Sequence, residues 1–136
     1  MTIDRNAIAA SLAAKMEAVT AARRAARIAD AEREMRLRDQ FTDFWESVEL
    51  LNQHGLESQE GLLQFSGEAW DAGTSVISGS LELRGPGGEH QIAYRAQGDA
   101  LQVDWPGGEA RYKAADLAAA IDKLTDVVAE AFAKPE

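Results

Sequence analysis

The chain has 136 residues, no cysteine and a formal net charge of −9. Without cysteine, disulfide bonds, thiol catalysis and cysteine-ligated zinc are excluded, and no segment approaches the roughly 20 apolar residues that cross a membrane. Residues 7–14 are too weakly apolar for a signal peptide, so we expect a cytoplasmic protein with no membrane partner.

Residues 4–54 contain neither Gly nor Pro, which predicts one continuous helix over the whole stretch. Thr2 and Asp4 are the candidate N-caps, and His54 with Gly55 supplies the stop signal, because Gly favours the left-handed conformation just past a helix end. Such a helix would be about 76 Å long, whereas the rest of the chain would form a body about 30 Å across. More than half of the helix must therefore contact something other than its own domain.

The apolar residues of this helix form two patches on one stripe, at 100° per residue. The first patch, which we call the N-terminal stripe, has only four large apolar residues: Ile8, Leu12, Met16 and Val19. The second patch is rich in aromatic residues and comprises Leu37, Phe41, Phe44, Val48 and Leu51, with Trp45 at its margin. The aromatic patch is typical of a helix packed on a domain core, whereas the N-terminal stripe favours close helix–helix packing.

A basic segment interrupts the stripe between the two patches. Its arginines alternate with acids, and several opposite charges fall at i,i+3 or i,i+4, which favours a salt-bridged solvent face. Arg23, Arg24 and Arg27 are the least neutralised and are the candidate nucleic-acid contacts. Residues 1–38 carry eight Lys and Arg against five Asp and Glu, and residues 39–136 carry six against eighteen. The acidic body disfavours nucleic acid as its own partner.

From Gly61 onward apolar and polar residues alternate, which predicts short strands joined by Gly-containing turns. The five strands are expected at about residues 62–71, 74–84, 89–96, 100–105 and 109–113. Their shared apolar face comprises Leu63, Phe65, Ile77, Leu81, Leu83, Ile92, Tyr94, Leu101, Val103, Trp105, Ala110 and Tyr112.

Turn lengths that keep this face in register predict an antiparallel meander. A three-residue turn at residues 72–74 would pair Leu63 with Leu83 and Gly67 with Gly79. The later turns would place Tyr94 beside Val103 and Gly79, and Trp105 beside Ala110. The row of glycines near Tyr94 has two interpretations that stay open, an aromatic ring covering positions without side chains or a β-bulge.

The opposite face of the sheet is predicted to be small and polar, with Trp70 and Val76 as its apolar exceptions. Its residues are Gln64, Ser66, Glu68, Trp70, Val76, Ser78, Ser80, Gln91, Ala93, Arg95, Gln102 and Arg111. Trp70 is either covered by the protein's own helix or a binding anchor. Together with Val76 it forms the candidate partner-binding site.

A C-terminal helix is predicted from about residue 115, with Leu117, Ile121, Leu124, Val128 and Phe132 on one stripe. Five strands are about 24 Å wide and one helix about 10 Å, so the aromatic end of the long helix must cover the other half of the sheet. The predicted fold class is α+β, with a long N-terminal helix, a five-stranded antiparallel meander, a C-terminal helix, and two helices packed on one face of the sheet. Residues 1–36 would form a projecting helical arm and residues 37–136 a two-layer α+β domain.

Groups that could support catalysis are few. His54 lies at a predicted helix end and His90 beside a turn, which favours a capping imidazole and a surface residue. The Gly-rich turns at residues 85–88 and 106–108 join strand to strand, and none precedes the Lys and Ser or Thr of a phosphate-binding loop. The 23 acidic side chains lack metal-ligand spacing. We therefore expect no catalytic, cofactor-binding or metal-binding residues.

These features favour a non-enzymatic protein-interaction module of adaptor, chaperone or inhibitor type. It would self-associate as a homodimer, in a coiled-coil manner, along residues 4–34, and it would bind a protein partner. A fold-back of the arm onto its own domain is the rival arrangement. The alternative function is a nucleic-acid-associated regulator that uses the Arg-rich middle of the helix, and an enzyme ranks third.

Overall fold

The computed structural model describes residues 2–136. Its elements are α1 (Arg5–Asp39), α2 (Thr42–Glu57), β1 (Leu62–Asp71), β2 (Val76–Gly85), β3 (Gly88–Gln97), β4 (Ala100–Trp105), β5 (Gly108–Lys113), a 3₁₀ turn (Ala114–Asp116) and α3 (Ala118–Phe132). The strands form one antiparallel sheet in the order β1-β2-β3-β4-β5. The predicted α+β class, with its meander and its helices on the sheet, is confirmed.

The chain divides into two units, one that ends at Arg33 and one from Glu34 to Glu136. The sheet, α2 and α3 all belong to the second unit. Across residues 2–136, no helix combines the length and the apolar character that spanning a membrane requires, since even the long α1 carries many charges.

The hydrophobic core lies between the sheet and the helices. Its fully buried side chains include Phe44 of α2 and Leu124 of α3. Trp45 packs at the centre of an aromatic cluster, with ring centroids 5.4 Å from Tyr94 and 6.0 Å from Phe65. The aromatic patch predicted to cover the sheet therefore does so, because a helix and an antiparallel sheet each bury one apolar face against the other.

The prediction of one continuous helix is wrong at Phe41, which has φ −114° and ψ 21° instead of helical angles. Its side chain is fully buried. The Nε2 of Gln40 donates a hydrogen bond to the Gly98 carbonyl at 2.8 Å, and the Nε1 of Trp45 donates to the Arg38 carbonyl at 3.0 Å. These hydrogen bonds satisfy polar groups next to the break. The position of the break is therefore determined by packing within the domain. The local sequence has no Gly or Pro to signal it.

The predicted stop at Gly55 is also wrong, because α2 continues to Glu57. Gln59 has a φ of 55° and supplies the left-handed residue after the helix instead. Gly55 is buried, and a Cβ atom there would lie 2.6 Å from Cε2 of Phe132. The glycine is needed for the close packing of the Phe132 ring of α3 against α2.

The strand register agrees with the prediction through most of the sheet. Leu63 lies opposite Leu83, and Tyr94 lies opposite both Gly79 and Val103. The predicted pairing of Trp105 with Ala110 is wrong by two positions, since a two-residue turn places Trp105 opposite Gly108. A shift of two keeps the same side chains on the buried face.

A β-bulge in β1 changes the register between Ser66 and Ala69. Gly67 lies in this bulge with a φ of 62°, so the predicted pairing of Gly67 with Gly79 and the three-residue turn at residues 72–74 are wrong. Four residues separate the paired ends of β1 and β2. Both interpretations of the glycines hold. Gly67 forms the β-bulge, and Tyr94 covers Gly79, where a Cβ atom would lie 2.7 Å from the hydroxyl oxygen of Tyr94.

The bulge also corrects the predicted face of Trp70. One extra residue in a strand moves every later side chain to the other face, and Trp70 consequently lies opposite the buried Ile77. Trp70 is half-buried and packs against the core. The assignment of Trp70 to the outer polar face is therefore wrong.

Candidate interaction surfaces

The N-terminal stripe lies in the first unit, on a helix that starts with a capped turn. Oδ1 of Asp4 accepts hydrogen bonds from the backbone N–H groups of Asn6 and Ala7 at 3.1 and 3.2 Å, which confirms Asp4 as an N-cap. The four stripe residues leave large parts of their surface exposed: Ile8 58%, Leu12 58%, Met16 60% and Val19 48%.

A shallow groove of about 290 Å³ runs along this stripe and includes Leu12, Met16 and Val19. Lys15 and Arg23 form part of its lining. The surface is thus apolar in the middle with basic flanks, which suits a partner that offers an apolar groove with acidic flanks.

Arg23, Arg24 and Arg27 are exposed, as the sequence pattern predicts. The salt-bridged interpretation of the basic segment is confirmed in part. Within the first unit, Nη2 of Arg33 lies 2.7 Å from Oδ1 of Asp30. The role of the three exposed arginines in contacting nucleic acid stays a prediction.

Glu68, in the β1 bulge, joins two groups from distant parts of the second unit. Its Oε2 accepts a hydrogen bond from the Tyr94 hydroxyl at 2.6 Å, and its Oε1 forms an ion pair with the Arg38 guanidinium. Arg38 also lies 3.6 Å from Glu34. This network links the last turn of α1 to β1 and β3. The sequence pattern placed Glu68 on the outer face and did not identify the network.

Burial, and then the hydrogen bond to Glu68, raise the pKa of Tyr94 above its usual value. A pKa that is raised on folding means that the folded state holds the proton more tightly than the unfolded state. The associated stability is therefore present below about pH 10, the usual pKa of tyrosine, and is lost as the pH rises above it. At neutral pH the hydroxyl is a permanent donor to Glu68.

The predicted partner-binding pair Trp70 and Val76 offers little free surface. Val76 is only 5% exposed, and Trp70 packs against the core as described above. Their role in binding a partner stays a prediction.

The outer face of the sheet is polar and lined by small residues. A depression of about 400 Å³ lies over β2 and β3 and is lined in part by Ser78, Gly79 and Ala93. Nearby, Nη2 of Arg111 donates to Oε1 of Gln102 at 3.3 Å. The face has the character of a hydrated surface whose polar groups bond to one another.

The two histidines lie apart from any cluster of potential ligands. His54, in the last turn of α2, is exposed, and its Nε2 is 3.7 Å from Oε2 of Glu60. His90 is half-buried on β3, opposite Leu83. Throughout the described residues, no group of three or more His, Asp or Glu side chains is placed to hold a metal ion.

A groove of about 640 Å³ lies between α2 and α3, and we call it the α2–α3 groove. Six of its lining residues are Leu51, His54, Thr125, Val128, Ala129 and Phe132. Sequence reasoning missed this groove, because the stripes of both helices were assigned wholly to covering the sheet. No sequence signal identified it, because Leu51 and Ile121 belong to those stripes and only the structure shows that both are half-buried.

Comparison of the chain with protein-family models, with curated proteins and with solved structures found no match. The functional argument therefore depends on the surfaces of this chain. The two apolar candidates are the N-terminal stripe and the α2–α3 groove.

Proposed function

We propose that the protein is a cytoplasmic, non-enzymatic interaction module of adaptor, chaperone or inhibitor type, which self-associates through α1 and binds a protein partner. The observation that carries this proposal is the N-terminal stripe. Its four apolar residues follow helical spacing and are each about half exposed or more. A contiguous exposed apolar surface of this kind is typical of a site of protein association.

Energetics supports self-association of the stripe. In proteins, most of the stability of a helix comes from packing its apolar face against another surface. Burying each stripe residue against another chain would contribute about 1.5–3 kcal/mol at best, before the entropy of ordering is subtracted. An isologous dimer is the commonest way in which a soluble chain covers such a surface.

The second unit is the proposed site for the protein partner. From Glu34 to Glu136 it carries eight Lys and Arg against nineteen Asp and Glu. Charge complementarity steers association and selects among partners. A partner with a basic surface is therefore favoured.

The test of self-association is the double substitution Leu12→Asp with Val19→Asp, compared with Ala14→Asp with Ala21→Asp. The control pair has the same seven-residue spacing and the same added charge, on the opposite side of α1. We expect the first pair to reduce the sedimentation coefficient to that of a monomer and the control to leave it unchanged. Equal behaviour of the two variants would contradict the proposal.

The second candidate function is contact with nucleic acid through Arg23, Arg24 and Arg27, which are exposed on a helix. Up to Arg33 the chain carries six Lys and Arg against four Asp and Glu, so this unit is basic while the second is acidic. Replacing all three arginines with Gln should leave the unfolding midpoint nearly unchanged, as surface substitutions usually do.

Binding to a nonspecific DNA duplex, measured by fluorescence anisotropy at low salt, separates the two functions. Contacts with phosphate must weaken steeply as salt is added. Salt-sensitive binding that the triple Gln variant loses would favour the nucleic-acid function. An absence of binding by the unmodified protein would remove it.

A further inference from the structure

We propose that the α2–α3 groove of one copy binds residues 8–27 of α1 from a second copy. This inference rests on the proposed self-association and identifies the surface that receives the N-terminal stripe. It differs from a coiled coil in which two α1 helices pair with each other. Three observations support it: the apolar surfaces, the lengths of the two sites and their charges.

The groove has an apolar lining that can contact the apolar residues of a helix. Leu51, Val128 and Phe132 provide an apolar lining, and the exposed Thr125 and Ala129 lie along the α3 side. Small side chains at the margin of the groove allow another helix to approach closely. The apolar side chains between α2 and α3 can then contact the apolar residues of that helix. An amphipathic helix laid in a groove uses anchors at i, i+3, i+4 and i+7 spacing, and the N-terminal stripe has this kind of spacing.

The lengths also agree. The stripe extends from Ile8 to Val19, which are eleven positions apart, or about 17 Å of helix. On α3, the groove-facing side extends through Thr125 and Val128 to Phe132. The half-buried Ile121 is outside the groove lining but lies one turn before Thr125 on the same side. Ile121 and Phe132 are also eleven positions apart, about 17 Å, so the groove together with this neighbouring apolar residue offers a surface as long as the stripe.

The segments that carry the two sites have opposite net charges, while the lining of the groove itself contains one acid, Glu60, and one base, Lys134. Residues 8–27 contain four Lys and Arg and one Glu. Residues 42–60, which include α2, contain five Asp and Glu and no Lys or Arg, and residues 114–136, which include α3, contain five against two. Pairing of two α1 helices, in either sense, would instead bring together two segments of the same positive net charge. The net charges of the segments therefore favour the groove over another α1 as the surface that the stripe contacts.

Reciprocal docking would produce a closed dimer. Each chain provides one helix and one groove, so a two-fold arrangement satisfies both copies with two identical contacts. The N-terminal stripe and the α2–α3 groove would be covered at once.

The test is Ala129→Arg, which places a long cationic side chain in the groove, with Ala119→Arg as the matched control. Both positions are exposed alanines of α3, but Ala119 is not among the groove residues. At a protein concentration below the dimer dissociation constant, circular dichroism should show the same unfolding midpoint for both variants, and Thr125→Arg is the substitute should Ala129→Arg unfold. We expect Ala129→Arg to raise the dimer dissociation constant at least 10-fold, measured by sedimentation equilibrium, and Ala119→Arg to change it less than 2-fold.

The outcomes separate this inference from the function on which it rests. A dimer broken by Leu12→Asp with Val19→Asp but unaffected by Ala129→Arg would overturn docking in the groove and leave self-association standing. An unmodified protein that sediments as a monomer would overturn both.

A labelled peptide of residues 5–28 provides an independent readout. Added to the full chain that carries Leu12→Asp and Val19→Asp, the peptide should bind the vacated groove and increase the fluorescence anisotropy. Adding Ala129→Arg to that chain should weaken peptide binding at least 10-fold, and adding Ala119→Arg should not. Unchanged binding with Ala129→Arg, or no binding to the double variant, would overturn the inference.

Discussion

The two units of this chain differ in almost every property that folding depends on. Among residues 2–33 every residue is exposed except Asp30, which is half-buried, whereas every buried residue belongs to the second unit. The first unit has an excess of two positive charges and the second an excess of eleven negative charges. The difference teaches that one helix can serve two purposes, since the end of α1 contributes Leu37 to a core while its beginning presents apolar residues at the surface.

The largest expected effect comes from truncating the core of the second unit. Phe44→Ala removes a fully buried ring and should destabilise the protein by about 3–5 kcal/mol. At a protein concentration below the dimer dissociation constant, Leu12→Ala, in the exposed stripe, should change the stability of the second unit by less than about 0.5 kcal/mol. Urea denaturation followed by tryptophan fluorescence measures both. Equal midpoints for the two variants would contradict the contrast between the units.

An intermediate effect is expected from Gly55→Ala. The added methyl group would lie 2.6 Å from the Phe132 ring, and overpacking of this kind costs about 1–3 kcal/mol. Gly107→Ala is the control, because nothing lies within 4 Å of a Cβ atom at that position. Thermal unfolding should show a lower midpoint for Gly55→Ala alone. A drop for Gly107→Ala of the same size would mean that glycine flexibility, and not the contact with Phe132, determines the effect.

A smaller effect is expected from Glu68→Ala, which leaves the buried Tyr94 hydroxyl without its acceptor. An unsatisfied buried donor costs about 1–3 kcal/mol, and we expect the lower end because Glu68 retains contact with solvent. Tyr94→Phe should cost less, since Glu68 keeps its ion pair with Arg38. A larger loss for Tyr94→Phe than for Glu68→Ala, measured by urea denaturation, would contradict the assigned network.

Much of the fold could be predicted from the sequence because it depends on local alternation. The predicted strand bounds agree with the observed ones within a few residues. Pairs such as Leu63 with Leu83 follow from keeping the apolar side chains of neighbouring strands on the same face of the sheet. The break at Phe41 could not be predicted, because Phe41 is buried in the core and the neighbouring Gln40 bonds to Gly98, which is brought near only by the fold.

The candidate site was predictable to a lesser extent. The four residues of the N-terminal stripe could be identified from their period, and the structure leaves them exposed. The face of Trp70 could not, because one extra residue in the β1 bulge reverses it. The α2–α3 groove also required the structure, since a surface between two helices depends on how the helices lie side by side.

The most direct test of the account is the mass of the unmodified protein in solution. Light scattering behind a sizing column, over a range of loading concentrations, reports whether the chain of 14.7 kDa associates. The account predicts a mass of twice that value or more at micromolar concentration and above. A mass of 14.7 kDa at every concentration, unchanged by Leu12→Asp with Val19→Asp, would contradict it.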